Sequence, residues 1–225
     1  MDTELQIPED RAALEAKLAE MIREYLTSQY KFRVEDCAAA DAVLVFARKD
    51  DTYVPLLAEL WHSGKVKHIV ISGGLGKDSG PLKVIGTPEA DFLAILLLQA
   101  GVPAEAMKMI DRKATNGIQN SQNGLTLLAE NGIFPERMIL FGCPDNLLRL
   151  AAFHQAIAER EFTHVPDFAS IKYEFLVVPW LAKVNQEILF DTMRRLRDCP
   201  LETPPAAAQF DLPAEILELM ARLGK

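Results

Sequence analysis

The sequence has few cysteines, no histidine cluster and no long apolar run, and each absence excludes a class of protein. Its three cysteines, Cys37, Cys143 and Cys199, lie far apart and form no Cys-x-x-Cys pair. This spacing indicates neither a disulfide framework nor a zinc knuckle. The four histidines show no ligand spacing and lie near no cysteine or carboxylate cluster. The sequence therefore supports no metal site.

Membranes and nucleic acids are not expected partners. No apolar stretch is long enough to cross a bilayer, and the first residues lack the basic and then apolar pattern of a signal peptide. We therefore expect a cytoplasmic protein. The formal net charge is −8, the pI is about 5.1, and lysines and arginines form no basic stripe. These values favour a small-molecule ligand and leave a protein partner or a homo-oligomer open.

Short apolar runs alternate with helical patterns through the middle of the chain. Runs rich in β-branched residues predict five strands, near 41–47, 67–72, 107–110, 138–142 and 173–179. This alternation predicts an α/β fold with a mainly parallel sheet, right-handed crossovers and the first two strands side by side. We expect one domain over 1–225, with its core at about 40–198 and helical extensions at 8–30 and 211–223. The last helix is expected to dock beside the first.

The turn Ser72-Gly73-Gly74 closes the second predicted strand. Ligands bind at the carboxyl ends of the strands in open α/β sheets. We expect the glycines to permit positive φ and to expose their main-chain N–H groups to a ligand, while Ser72 adds a hydroxyl. The alternative is that the glycines only turn the chain. Residues 75–86 then resist assignment as helix or strand, and loops of that length are usually functional or disordered.

The sequence does not match known catalytic and phosphate-binding motifs. A P-loop requires Ser or Thr after Gly-Lys, but Gly76-Lys77 is followed by Asp78. A dinucleotide fingerprint requires a third glycine that leads directly into a helix, and it is missing here. No Gly-x-Ser-x-Gly elbow is present. Cys143 precedes a predicted helix, where a thiolate would be stabilised, but no histidine base is identifiable, so we favour a structural thiol.

Polar residues follow four of the predicted strands. Thr87-Pro88-Glu89 predicts a helix start in which Thr87 caps the helix, Pro88 takes the first position and Glu89 complements the dipole. Parallel strands share one carboxyl edge, so we expect the polar residues after the strands to line one cleft. The candidate binding residues are Ser72, Gly73, Gly74, Glu89, Asn116, Gln119, Asn120, Asn146 and Arg149.

In this order, these residues resemble the bacterial SanA/ElyC/YdcF-like family, a domain of unknown function, and above all its cytoplasmic YdcF-like branch. The resemblance covers about residues 40 to 180, through Ser72-Gly73-Gly74, Glu89-Ala90, Gly101-Val102-Pro103, Ala114 to Asn120, and Cys143 to Arg149. It implies a Rossmann-like, doubly wound fold with a pocket at the strand ends. It also suggests a nucleotide-type ligand, such as S-adenosylmethionine, with no reaction assigned.

Three departures from the family pattern change these expectations. Arg48 follows the first strand where the family commonly has glycine, so it offers a guanidinium and joins the candidate binding residues. Ala114 replaces a small Ser, and Gln119 stands where the family has Glu. An amide takes no proton at neutral pH, so a general-base or metal-binding role is lost there while hydrogen bonding survives. This favours binding over catalysis. The alternative is a non-enzymatic interaction or regulatory module with a vestigial pocket.

Structural roles also account for several of the candidates. Asn116 and Asn120 are typical of capping and loop bracing, because Asn readily bonds to nearby main chain. Arg149 lies in the first turn of a predicted helix, where the dipole disfavours a cation, so we expect an anion beside it. That anion is either Asp145, four residues earlier, or a ligand phosphate or carboxylate.

Overall fold

The structure is a computed structural model that describes residues 10–165, 168–179, 185–198 and 212–225. Within these residues five strands form one sheet in which every neighbouring pair is parallel. The strands are β1 (Ala40–Phe46), β2 (Val66–Ser72), β3 (Met109–Asp111), β4 (Arg137–Gly142) and β5 (Lys172–Val177). The helices are α1 (Arg11–Gln29), α2 (Val54–His62), α3 (Pro81–Ile85), α4 (Glu89–Gln99), α5 (Gly117–Glu130), α6 (Leu147–Glu161), α7 (Gln186–Arg197) and α8 (Ala214–Leu223). This confirms the predicted α/β class and the Rossmann-like, doubly wound parallel sheet.

The central strands are almost completely buried. Val43, Leu44 and Val45 of β1 have no solvent exposure, and neither do Ile139 and Leu140 of β4. A parallel strand with helices on both faces needs apolar residues at consecutive positions, which is why these strands are continuous hydrophobic runs without alternation. β1 pairs with β2, as the sequence predicted.

The order of the strands creates a switch point in the sheet. From one edge to the other the order is β3-β2-β1-β4-β5. The chain therefore builds outward from β1 through β2 to β3, and then returns to place β4 on the other side of β1. The connections leave β1 and β4 in opposite directions, and the carboxyl ends of two such strands are where open α/β sheets bind their ligands.

The described helices belong to two compact units. Residues 30–179 hold the sheet and helices α2 to α6, whereas α1, α7 and α8 belong to the other unit. In that second unit the Arg11 guanidinium donates from Nη2 to the Leu223 carbonyl at 3.1 Å. The terminal helix therefore packs against the first one, as predicted. No helix among the described residues is long and apolar enough to cross a membrane.

The segment 75–86 contains a helix that the sequence did not predict. Residues Pro81–Ile85 form α3, so the assignment of this segment as neither helix nor strand is wrong for these positions. Pro81 takes the first helical position, where its missing N–H has no cost. Gly80 before the helix and Gly86 after it have φ of +51° and +71°, which favour glycine and set the two ends.

Helix α4 begins one residue later than predicted, and Thr87 does not cap it. The N-cap residue is Pro88, and no side chain caps the helix. Instead, the first main-chain N–H groups of the helix donate to carbonyls of the turn after β2: Glu89 to Gly74 at 3.3 Å, and Ala90 to Gly73 at 2.8 Å. The turn thus satisfies two of the donors that every helix start leaves unpaired.

Candidate functional site

The candidate residues lie in the strand ends, loops and first helical turns at the carboxyl edge of the sheet, where they form part of two groups. The turn network comprises Ser72, Gly73, Gly74, Asp111 and Asn120, and it joins the ends of β2 and β3 to α5. The switch-point cluster comprises Arg48, Glu89, Cys143 and Asp145, and it lies around the loops that follow β1 and β4. The two groups differ in how completely their polar atoms are paired.

A buried hydroxyl is the centre of the turn network. Ser72 is fully buried, and its Oγ donates to Oδ2 of Asp111 at 2.6 Å. The same carboxylate accepts from the main-chain N–H groups of Lys113 at 2.9 Å and Ala114 at 3.3 Å. Oγ of Ser72 also lies 3.2 Å from Oδ1 of Asn120. Because a hydroxyl carries one hydrogen and Asp111 receives it, a hydrogen bond between Ser72 and Asn120 requires the Asn120 NH₂ group in place of Oδ1 at this contact.

The glycines of the turn serve close packing of the main chain. The N–H of Gly73 donates to the Asp111 carbonyl at 3.1 Å, and the N–H of Gly74 donates to the Ala114 carbonyl at 2.7 Å. Neither glycine has a positive φ. A Cβ on Gly74 would lie 2.6 Å from the Arg112 carbonyl oxygen. The expectation that these N–H groups face a ligand is therefore wrong, as is the expectation of positive φ.

The amides at the start of α5 cap that helix. Oδ1 of Asn116 accepts from the N–H of Gln119 at 3.0 Å, which makes Asn116 the N-cap residue. Oε1 of Gln119 reaches back to the Thr115 N–H at 2.8 Å and to the Thr115 hydroxyl at 2.9 Å. This is close to a capping box, in which the side chains of the N-cap residue and the third helical residue each accept a hydrogen bond from the other's main-chain N–H. Both side chains are exposed, so this role does not remove them from a solvent-facing rim.

The switch-point cluster brings together the loops that follow β1 and β4 and the start of α4. Nη1 of Arg48 lies within hydrogen-bonding distance of Sγ of Cys143 and 3.9 Å from Oδ1 of Asp145. Its Nε lies 3.5 Å from Oδ2 of Asp50. Oδ1 of Asp145 is buried and has no hydrogen-bond partner. A carboxylate oxygen in that position lacks a donor, which is costly unless another group supplies one.

Glu89 carries its carboxylate at the start of α4 and is half-buried. Burial is the largest influence on its pKa and raises it, while a hydrogen bond from Ser79 and the positive charges of Arg48 and Lys49 act in the opposite direction. Ser79 is itself fully buried, and its Oγ accepts from the Gly76 N–H at 2.8 Å. The loop after β2 thus folds back to hold this carboxylate beside the Arg48 guanidinium.

Cys143 has the surroundings of a structural thiol. Burial raises its pKa, although the nearby Arg48 guanidinium acts to lower it. Its neighbour Tyr53 is buried and packs edge-on against Phe141, with ring centroids 4.8 Å apart. A thiol with a raised pKa is protonated at neutral pH and is a poor nucleophile. This agrees with the structural role that we favoured from the sequence.

The last two candidates lie at the start of α6. Asn146 occupies the N-cap position of this helix, but its side chain makes no capping hydrogen bond. The guanidinium carbon of Arg149 lies 5.9 Å from the centre of the Phe153 ring, one turn further along the helix. The partial negative charge of an aromatic face stabilises a cation in this position.

The sequence did not predict that Asp111, Ser79 and Tyr53 take part in these groups. Asp111 follows an apolar strand, so the rule that placed Ser72 at a strand end would also have found it. Ser79 and Tyr53 carry no such signal, because only the folded chain brings them to Glu89 and Cys143. In the part of the chain that the structure describes, no three His, Cys, Asp or Glu residues are grouped as metal ligands.

A scan against known protein families finds no match for the chain, and a search of curated proteins finds none either.

Proposed function

We propose that the chain binds a nucleotide-type small molecule, with S-adenosylmethionine as one candidate, at the carboxyl ends of the parallel strands. One observation carries the proposal: the loops after β1 and β4 place Arg48 and Asp145 together where the strand order reverses. Open α/β sheets bind ligands in the crevice at such a point. The buried Oδ1 of Asp145 lies 3.9 Å from the Arg48 guanidinium and accepts no hydrogen bond, which supports a ligand donor at this position.

The chemistry of the cluster matches the parts of such a ligand. The Arg48 guanidinium, with its planar set of donors, suits a carboxylate or a phosphate. The carboxylates of Asp145 and Glu89 accept hydrogen bonds from ribose hydroxyls or from an amino group. S-Adenosylmethionine carries a carboxylate, an ammonium group and ribose hydroxyls, and nucleotides carry phosphate and ribose. The proposal concerns binding, because Gln119 cannot act as a base and Cys143 is not activated.

The resemblance to the SanA/ElyC/YdcF-like family supports the same proposal. We propose membership of its YdcF-like branch and, with it, a cytoplasmic location. In this view Arg48 replaces the glycine that commonly follows the first strand, so a side chain binds the anionic group that main chain would otherwise approach. Buried Ser72 and the capping side chains of Asn116 and Gln119 then brace the rim of the site.

A thermal-shift panel tests the proposal. Adenine nucleotides, S-adenosylmethionine and nucleotide sugars are each added to the folded, ligand-free chain. A ligand at a hundred times its Kd should stabilise the protein by about 2.7 kcal/mol. No shift with any member of the panel would contradict the proposal.

Variants of the cluster then locate the site. For a ligand that shifts the melting temperature, Arg48→Ala and Asp145→Ala should each weaken binding at least about tenfold, since each loses a charge-assisted hydrogen bond of more than about 1.4 kcal/mol. Arg137→Ala is the matched control, because Arg137 is exposed and begins β4 at the opposite end of the strand. Equal losses in all three variants would contradict the assignment.

A second function has one observation in its favour. The N–H groups of Gly73 and Gly74 and the side chains of Asn116 and Gln119 all make hydrogen bonds within the protein. This pairing fits a non-enzymatic interaction or regulatory module with a vestigial pocket. In that case no ligand of the panel binds, and the full-length chain captures the same protein partner with and without Arg48→Ala. Loss of capture in the variant would contradict the second function.

A further inference from the structure

The two edges of the sheet differ within the described part of the chain. The β5 edge is paired near its carboxyl end by one bridge, because the Lys31 N–H donates to the Phe175 carbonyl at 2.8 Å and the Val177 N–H donates to the Lys31 carbonyl at 3.0 Å. β3 pairs with β2 alone on its inner side, and no other described strand or bridge pairs with its outer side. An uncovered edge is a template for another strand.

The main chain of Ile110 points out from this edge. The Gly73 N–H donates to the carbonyl of Asp111, so the main-chain groups of Asp111 face β2. Ile110 precedes it in β3, opposite Ile71 of β2. In a parallel ladder the main-chain groups of consecutive residues face opposite sides, so the N–H and the C=O of Ile110 face away from the sheet. They form the donor and acceptor pair with which an added strand would bond.

An open groove lies beside this outward-facing main chain. Its volume is about 310 Å³, and it is lined by Ile110, Asp111, Arg112, Lys113, Asn123, Thr126 and Leu127. Ile110 and Leu127 supply apolar contact, and Asn123 supplies an amide. The groove therefore combines a main-chain edge with a partly apolar wall, which is the arrangement used to bind extended peptides.

The edge is locally basic although the chain is acidic. Three of its 24 lysine and arginine residues, Lys108, Arg112 and Lys113, lie within positions 108–113, whereas the whole chain has a net charge of −8. Arg112 is paired with Asp91 at 2.7 Å. Asp111 is buried and accepts hydrogen bonds from Ser72 and from the main chain. Lys108 and Lys113 are exposed and remain the cations presented to solvent.

We propose that this edge binds an extended peptide segment with acidic side chains. The segment pairs with Ile110 as an additional strand beside β3, and its carboxylates lie next to Lys108 and Lys113. The site is separate from the switch-point cluster, since it uses none of the residues Arg48, Glu89, Cys143 and Asp145. Complementary charge selects the peptide, while the main-chain hydrogen bonds hold it in place.

Fluorescence anisotropy with a labelled hexapeptide of alternating glutamate and valine tests the proposal. Wild-type chain should bind it saturably, and a peptide with lysine in place of glutamate should not bind. Ile110→Pro removes the outward N–H but no hydrogen bond to β2, because proline is tolerated on an edge strand when its N–H position faces outward. This variant and Lys113→Glu should each weaken binding about tenfold or more. Ile110→Val, the matched control, should bind within about twofold of wild type.

Three results would overturn the proposal. The first is no saturable binding to wild type at chain concentrations up to about 1 mM. The second is unchanged binding by both Ile110→Pro and Lys113→Glu. The third is self-association of the wild type that Ile110→Pro abolishes, which would assign the edge to a second copy of the chain.

A measurement on the wild type keeps the test independent of the folding of Ile110→Pro. Amide hydrogen exchange at Ile110 should slow at least about tenfold when the acidic peptide is added, because its N–H becomes hydrogen-bonded. Exchange at Ile110 that is the same with and without bound peptide would overturn the pairing.

Discussion

Gly74→Ala should destabilise the protein in the absence of any ligand. A Cβ at this position would lie 2.6 Å from the Arg112 carbonyl oxygen and 2.7 Å from the Ala114 carbonyl oxygen. Both are main-chain atoms, so no flexible side chain can move aside. The Gly74 N–H also donates to the Ala114 carbonyl at 2.7 Å, and relief of the clash would lengthen this bond. The substitution therefore pushes the turn that follows β2 away from the loop that follows β3.

The expected cost follows from these two effects. Forcing a methyl group into a packed site costs about 1–3 kcal/mol, and weakening a main-chain hydrogen bond adds about 0.5–1.5 kcal/mol. We expect a loss of about 3 kcal/mol in the free energy of unfolding. For a domain of about 150–250 residues this lowers the melting temperature by roughly 6–12 °C.

Gly132→Ala is the matched control for this measurement. Gly132 has a φ of +68°, but a Cβ there would meet nothing within 4 Å. The control therefore reports the strain of a side chain in the left-handed conformation alone, about 1–2 kcal/mol. Urea unfolding followed by circular dichroism compares the two variants with wild type, without ligand. If Gly74→Ala costs less than the control, the glycine is not required by main-chain packing and our interpretation of the turn is wrong.

Three further predictions concern buried and capping groups. Burial lowers the pKa of His154 to about 3, below its unfolded-state value of about 6.5. The stability that this group contributes is fully present above pH 6.5, and it is lost at about 1.4 kcal/mol per pH unit as the pH falls toward 3. His154→Phe should remove this part of the pH dependence of unfolding, whereas the control His164→Gln, at an exposed position, should keep it. An unchanged dependence of the unfolding free energy on pH in His154→Phe would contradict the prediction. Burial raises the pKa of Cys37 to about 11. At pH 8 a thiol reagent should therefore label Cys37 about a hundredfold more slowly in the folded chain than in the unfolded chain, and equal labelling rates would refute this. Asn116→Ala should cost about 1 kcal/mol in urea unfolding through loss of the α5 cap, whereas Asn116→Ser should retain most of the stability; a loss shared by both would show that capping is not the cause.

The strands were predictable because their signal is local. A parallel strand covered on both faces must be apolar at consecutive positions, and the runs at β1, β2 and β4 are short and end in turn residues. Helix α3 escaped prediction for the opposite reason. A helix of five residues shows no complete period, and its ends depend on the left-handed conformations that Gly80 and Gly86 adopt in the folded chain.

The pairing of the polar residues required the fold. The rule that strand ends share one edge placed Ser72, Asn116 and Arg48 at the same rim. It did not show that the N–H groups of Gly73 and Gly74 donate to carbonyls of the β3 loop, because that contact joins residues about 40 positions apart. Nor did it show that the charges of Arg48 and Asp145 lie together, because this depends on β1 being the neighbour of β4.

By itself the sequence determined the parallel α/β architecture, the two terminal helices and the loops in which polar groups lie. These follow from patterns a few residues long, each of which reports the burial of one strand or helix. Only the tertiary structure decided which polar groups make hydrogen bonds within the protein and which do not. The reason is that hydrogen-bond pairing between loops depends on strand order and register, and the residues that it joins are distant in sequence.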